Sequence, residues 1–355
     1  MSADAGRPHG DRGRAFATYL AERRPIIEAY LAEHKPTPPP DETSADSDLE
    51  RYLYQPFARF VASGGKRTRP ALVLLGCEAV GGDVERALSS AAGIEHFQSA
   101  ALIHDDIADE GELRRGEPCT YLTEGLGVAI NTGDLGIVRT FADVLEDDAL
   151  DPTTKLRVLA ELAQMEQRTV EGQALDLGWV RDGRWDVSAS DYLRMARHKT
   201  AFYSASSPLS IGAICGGGSS GQVGALGSFG MDAGLAFQLQ DDLLNLVGDA
   251  TAQGKDFRSD ITEGKRTMVV AWSLERLEGQ DREELVALLS AHTTDPTQLA
   301  RAVGLMRDCG AIDAVGGYAR ALADHAKGEL DGMDFAGHAV EVLDSMADFF
   351  VERLG

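Results

Sequence analysis

Apolar positions along this chain recur at three- and four-residue spacing rather than in alternation, and that periodicity predicts helices almost throughout. Leu20, Ile27 and Leu31 place a first helix over Arg14 to Glu33, with Pro25 set to break or kink it. From Leu49 onward, apolar segments of helix length fall at about 49–62, 69–80, 84–108, 118–125, 127–147, 153–178, 188–202, 204–216, 220–247, 265–278, 282–291, 296–308, 310–329 and 337–353. Gly64-Gly65, Gly81-Gly82, Gly116 with Pro118, Asp151-Pro152, Gly216-Gly217-Gly218 and Asp295-Pro296 punctuate them. No alternation persists over several elements, and no short repeat is visible. The expectation is one all-α domain, a large helical bundle over 13–355, after a polar and disordered 1–12. Within it, 36–47 is Pro-rich and then acidic, and reads as an exposed linker.

Composition narrows the function. The 355 residues are 43% hydrophobic, which supplies a large core; the length alone would also allow two domains. Thirty-four basic against 57 acidic residues leave a formal charge of −23, which argues against nucleic acid or an anionic membrane as the main partner. A phosphate ligand would need a local gathering of Lys, Arg and metal. Cys77, Cys119, Cys215 and Cys309 form no CxxC pair, so free thiols in a reducing cytoplasm are expected, without zinc or a disulfide framework. No signal peptide is visible, and the aliphatic run at Ala71–Leu75 is too short to span a bilayer.

Candidate chemistry then concentrates in a few stretches. Gly64-Gly65-Lys66-Arg67-Thr68-Arg69-Pro70 is a two-glycine loop leading into a helix whose first turn suits Pro70. Lys66 and Arg69 can grip an anion beside the N–H groups of that turn, or the segment is a basic surface loop. At His104-Asp105-Asp106-Ile107-Ala108-Asp109 an apolar helix runs into three aspartates. Asp105 and Asp109 are four apart and share a face, where like charges repel. A hard divalent cation bridged to phosphate accounts for them, and a solvated helix end is the alternative. Arg114 and Arg115 follow after one short loop, the pairing of metal and guanidinium that a diphosphate needs. Gly172-Gln173-Ala174-Leu175-Asp176-Leu177 and His198-Lys199-Thr200 add polar groups to apolar helices and carry little alone. Phe237-Gln238-Leu239-Gln240-Asp241-Asp242-Leu243-Leu244-Asn245 repeats the first pattern, followed by Gly254-Lys255, Asp260 and Gly264-Lys265-Arg266-Thr267. Two aspartate-bearing helix ends, each followed by Lys or Arg, make a two-sided clamp.

In these stretches the chain resembles the trans-prenyltransferases, or polyprenyl (isoprenyl) diphosphate synthases, of the short-chain farnesyl and geranylgeranyl type. The likeness covers about Gly64 to Thr267, with the motifs in the family's order. It implies an all-α bundle around a deep central cavity, usually a homodimer, with the aspartate motifs facing each other across the cavity mouth and three magnesium ions bound. Asp105 and Asp109 would ligate two ions and Asp241 the third, with Asp106, Asp176, Asp242 and Asn245 as further candidates. Arg114, Lys199 and Lys255 would contact the allylic diphosphate, and Lys66, Arg69 and Arg115 would hold isopentenyl diphosphate. Gln98, Gln173, Thr200, Phe237, Gln238 and Lys265 would surround the substrates. The implied reaction is head-to-tail condensation of the two diphosphates to a linear trans-prenyl diphosphate.

Three positions depart from the family pattern. Asn245 stands where many members have a third Asp, Gln98 where many have His, and Arg258 where Gly is common. Product length is expected to follow the helix below Asp105. Ala100 and Ala101 leave its wall open, and Phe97, about 12 Å down at 1.5 Å per residue, is either the floor or a core aromatic. A class I terpene cyclase would need an Asn/Ser/Glu second motif, which Asp241 to Asn245 does not supply. A non-catalytic partner subunit would typically have lost the aspartates or the Arg pair.

Overall fold

Helix boundaries in this chain are set by side chains that satisfy the free N–H groups of the first turn. Asp151 accepts from the N–H groups of Thr153 and Thr154, at 3.0 and 3.1 Å, and starts a 30-residue helix with Pro152 in its first turn. Ser188 with Asp191 and Ser219 with Gln222 form reciprocal capping pairs, and Asp295 before Pro296 repeats the first device.

A computed structural model describes residues 11–38, 45–248 and 257–352. Its helices are α1 (Arg14–Glu33), α2 (Ala45–Leu49), α3 (Gln55–Ala62), α4 (Thr68–Ala79), α5 (Leu88–Ala108), α6 (Thr120–Glu124), α7 (Leu126–Glu146), α8 (Pro152–Arg181), α9 (Ala189–Ala196), α10 (Ser207–Cys215) and α11 (Ser220–Val247). Ser259–Thr262, Met268–Arg276, Gly279–Ser290, Pro296–Asp308, Ala311–Gly328 and Gly337–Glu352 follow. The all-α expectation holds. Helix α1 has the expected limits but continues through Pro25, burying Phe16, Tyr19, Ile27 and Leu31. The two helices expected over 188–216 are instead one continuous run, α9 and α10 joined by a π-helical segment, Arg197–Ser206. Residues 1–10, 39–44 of the expected linker, and Gly254-Lys255 lie outside the described residues, and 45–47 of that linker are instead the first residues of α2.

The strands are a two-residue ladder, Leu113–Arg114 against Glu117–Pro118. Its turn is Arg115-Gly116, both left-handed at φ 55° and 85°. That geometry is the mirror-image turn whose twist matches a hairpin, and Gly116 adopts it without a Cβ penalty. Helix α5 packs along α7, α4 along α10, and α11 against the π-helical segment and Ala311–Gly328. A core of Leu72, Leu74, Leu75, Ile94, Leu162, Phe229 and Leu239 lies between them, all fully buried. Among the described residues no helix is long and apolar enough to cross a membrane.

Candidate active site

The end of α5, the C-terminal half of α8, the π-helical segment and the end of α11 bring their polar residues to one end of the bundle. Asp109 caps α5, its N–H bonded to the Asp105 carbonyl at 2.8 Å, so the two carboxylates sit one turn apart as their spacing predicted. Gln173 on α8 donates to Asp105 Oδ1 at 3.0 Å. One turn on, Asp176 accepts from Lys199 Nζ at 2.5 Å, which ties α8 to the π-helical segment. Lys265 Nζ lies 3.4 Å from Asp109 and 3.7 Å from Asp176. The loop after α11 is thereby joined to α5 and α8. On α11, Gln238 takes a bond from Thr200 at 2.7 Å and gives one to Asp242 at 2.8 Å. Asp176, Lys199, Thr200, Gln238, Asp242 and Lys265 line one cavity of about 100 Å³.

This approach needs Gly172. A Cβ there would lie 2.6 Å from Lys199 Cα and 2.8 Å from the His198 carbonyl carbon. Only a residue without a side chain lets α8 come so close to the backbone that carries Lys199.

Electrostatics follow from burial and pairing. Burial pushes the Asp176 carboxyl up, but Lys199 and Lys265 outweigh it and hold the group below its ordinary value. Burial lowers Lys199 and Lys265, and their carboxylate neighbours, Asp176 foremost, more than restore both. Asp242 is pushed up to about 7, chiefly by burial and then by Asp241. Asp260 is raised by burial and by the like charge of Asp242, with Asp241 also within reach. Asp105, Asp109, Asp176, Asp241, Asp242, Asp260 and Glu263 are thus gathered around Lys199 and Lys265. This excess of hard oxygen donors fits magnesium-type cations. Among the described residues these carboxylates do not meet at one point. The one three-ligand group gathered within 4.8 Å is the remote Asp232, His325 and Glu329. A cation at the clamp would therefore complete its shell with phosphate oxygens and water.

The second anion-binding edge forms across the hairpin. Arg115 donates to Ser63 Oγ at 3.0 Å and stacks over Phe60, with its guanidinium beside Gly65. It therefore sits against the loop that carries exposed Lys66. Arg69 turns inward, bonded to Tyr203 Oη and Ser204 Oγ, both at 2.8 Å, and stacked on the Tyr203 ring. Gln98 is half-buried on α5.

Several expectations change. Asp106 is buried off the Asp105 face and accepts from Arg114 Nε and Nη2 at 2.8 and 2.5 Å. It orients Arg114 rather than joining the ligand face, because successive helical residues point about 100° apart. Asp242 is buried and accepts from the Tyr192 hydroxyl at 2.5 Å and from Gln238 at 2.8 Å. Asn245 anchors the following turn, giving a bond to Ser259 Oγ at 3.0 Å and taking one from the Asp260 N–H at 3.2 Å. Phe237 packs edge-on to Phe350 of the last helix, 4.9 Å between centroids, and not toward the substrate groups. Ala100 is fully buried beside Gly136 of α7, so its small size serves the α5–α7 approach. Ala101 is half-buried. Phe97 is 5% exposed with its ring edge-on to Tyr203. Arg258 has φ 63°, which explains why glycine suits that position. Lys255 lies outside the described residues. Tyr192 went unnoticed in the sequence, since nothing local marks an α9 tyrosine as the partner of an α11 aspartate.

Comparison with known proteins gives one family. The Polyprenyl synthetase family model matches residues 50–306. A short chain isoprenyl diphosphate synthase of Methanothermobacter thermautotrophicus is 40% identical, covering 82% of this chain and 88% of the relative. A geranylfarnesyl diphosphate synthase of Natronomonas pharaonis is 36% identical, covering 94% and 96%. The crystal structure of a geranylgeranyl pyrophosphate synthetase from Pyrococcus horikoshii superposes with a TM-score of 0.85 at 31% identity, covering 97% of this chain and all of that one.

Proposed function

This chain belongs to the polyprenyl synthetase family and is a prenyltransferase that elongates prenyl chains, and from that premise we propose its substrates, its metal and the role of each residue. It condenses isopentenyl diphosphate with an allylic diphosphate (dimethylallyl, geranyl or farnesyl) to a linear trans-prenyl diphosphate, farnesyl or geranylgeranyl diphosphate. The observation that carries this reading is the joining of the two aspartate-bearing helix ends through Gln173, Lys199 and Lys265, with Arg115 and Lys66 at the opposing edge.

Asp105, Asp109 and Asp241 hold magnesium, three ions in all. Bound there, magnesium would neutralise the diphosphate charge that grows as the allylic C–O bond breaks. Lys199, Lys265 and Lys255 contact the same leaving diphosphate, and Arg114, aimed by Asp106, borders it. Lys66, Arg69 and Arg115 hold isopentenyl diphosphate so that its alkene meets the allylic cation before water does. Gln98, Gln173, Thr200 and Gln238 order the surrounding shell. No strong side-chain base is required, since the bound diphosphate can take the proton released on alkene formation.

Phe97 stands at the floor below Asp105, supported by Tyr203, which favours a short product. Exposed Leu126, Ile130, Val138 and Leu145 on α7, with Leu156 and Val170 on α8, support a homodimer through that face. Four free cysteines, three of them buried, suit the cytoplasm.

The test is purified protein with magnesium, isopentenyl diphosphate and each allylic starter in turn. A linear prenyl diphosphate is expected. A cyclic hydrocarbon would mark a terpene cyclase, and no turnover a non-catalytic subunit of a hetero-oligomeric synthase.

A further inference from the structure

One buried charge pair lies outside the machinery assigned above. Arg67 sits between Lys66 and Arg69, yet it does not face the anion edge. It is 5% exposed, and its side chain reaches inward to the α5 carboxylate of Glu95. Glu95 itself is 1% exposed. Arg67 Nη2 also donates to the Val61 carbonyl, near the end of α3, at 2.6 Å. To do this Arg67 takes a left-handed backbone, φ 51° and ψ 30°, at the start of α4. A non-glycine residue adopts that conformation only where its surroundings impose it. Arg67 Nε and Glu95 Oε2 have no hydrogen-bond partner, although Arg67 Nε lies 3.9 Å from the Glu28 carboxylate of α1.

Fully buried pairs with unsatisfied atoms are poor sources of stability, and apolar side chains of similar volume often serve a fold as well. What this pair does provide is a fixed geometry. Arg67 ties the end of α3 and the Gly64–Arg69 loop to α5. Glu95 stands ten residues before Asp105 on that same helix, about 15 Å along it at 1.5 Å per residue. Turned inward, Arg67 leaves Lys66 exposed and sends Arg69 to Tyr203 and Ser204.

We propose that the Arg67–Glu95 ion pair is a positioning pair that fixes the isopentenyl diphosphate loop against the aspartate-bearing helix. The proposal rests on the loop's role given above. The pair touches no substrate, so its loss should separate the two KM values. The variants are the apolar double replacement Arg67→Met with Glu95→Leu, which keeps volume and removes the buried charges, and Glu95→Gln, which keeps shape. Each is assayed as full chain with magnesium, both KM values and kcat being measured beside the thermal midpoint. The double variant is expected to fold, with its KM for isopentenyl diphosphate raised tenfold or more and its KM for the allylic substrate within twofold. Glu95→Gln should show the same split at smaller size, and it decides the matter should the double variant not fold. An isopentenyl KM within twofold of wild type, or an equal rise in both KM values, overturns the proposal. Failure of the wild-type chain to make any prenyl product would instead overturn the function itself.

Discussion

Replacing Gly172 with Ala tests whether close helix approach positions Lys199. The added Cβ would lie 2.6 Å from Lys199 Cα and 2.8 Å from the His198 carbonyl carbon, whereas ordinary Cβ contacts begin near 3.4 Å. The Lys199 backbone N is nearer still; the obstructing atoms are backbone, so no rotamer relieves them, and α8 must part from the π-helical segment by about an ångström or more. Gln173 and Asp176, the partners of Asp105 and Lys199, move with α8. Overpacking of this kind costs about 1–3 kcal/mol, or roughly 1–4 °C in a protein of this size. An ångström of misplacement can cost about 100-fold in rate. The assay is kcat/KM for the allylic substrate at saturating isopentenyl diphosphate, beside a thermal melt. Gly178, on the same helix, has nothing within 4 Å of its Cβ position. Gly178→Ala is therefore the control and should be neutral or stabilising by about 0.5–1 kcal/mol. Should Gly172→Ala melt with wild type and keep kcat/KM within threefold, the close approach does not position Lys199.

Further outcomes follow from the same geometry. Asp105→Ala should lower kcat by about 100-fold or more with magnesium present, and turnover near wild type would remove the clamp from the account. Phe97→Ala should lengthen the product, read by chromatography; an unchanged profile makes Phe97 a core aromatic only. The Glu166 carboxyl, buried on α8, is pushed up to about 8 by desolvation. The folded chain keeps that proton after the unfolded chain has lost it, so stability should fall as pH rises from the ordinary carboxylate range through about 8. Glu166→Gln should therefore gain stability relative to wild type between pH 6 and pH 9, and an equal pH response in the two proteins would contradict the buried acid. Val138, 61% exposed on α7, should convert a dimer to monomer when changed to Lys, measured by sedimentation; an unaltered mass would move the interface elsewhere.

Much of this molecule was legible in one dimension because its information is local. Periodicity fixed α1 from Arg14 to Glu33, and Asp151-Pro152 and Asp295-Pro296 marked helix starts through caps that act within three residues. The spacing of Asp105 and Asp109 put both on one face, since a helix returns to the same side after about four residues. The recurrence of paired aspartates before Lys and Arg, in order along the chain, was enough to indicate the chemistry.

Which member of each cluster does what was decided only in three dimensions. Asp106 turned to Arg114, Asp242 to Tyr192 and Asn245 to Ser259, because each is surrounded by elements far away in sequence. Phe237 went to the C-terminal helix, and Ala100 to α7. Gly172 and Arg67 stood inside sequence motifs without a role of their own. Their meaning lies in a helix approach and a buried carboxylate, which sequence spacing cannot encode. The sequence by itself determined that this is a helical protein with two aspartate-bearing helix ends and basic companions, because helical repeat and charge are properties of neighbouring residues. The tertiary structure alone decided which of these carboxylates are buried and which partners each one meets, because burial and long-range pairing exist only once the helices have packed.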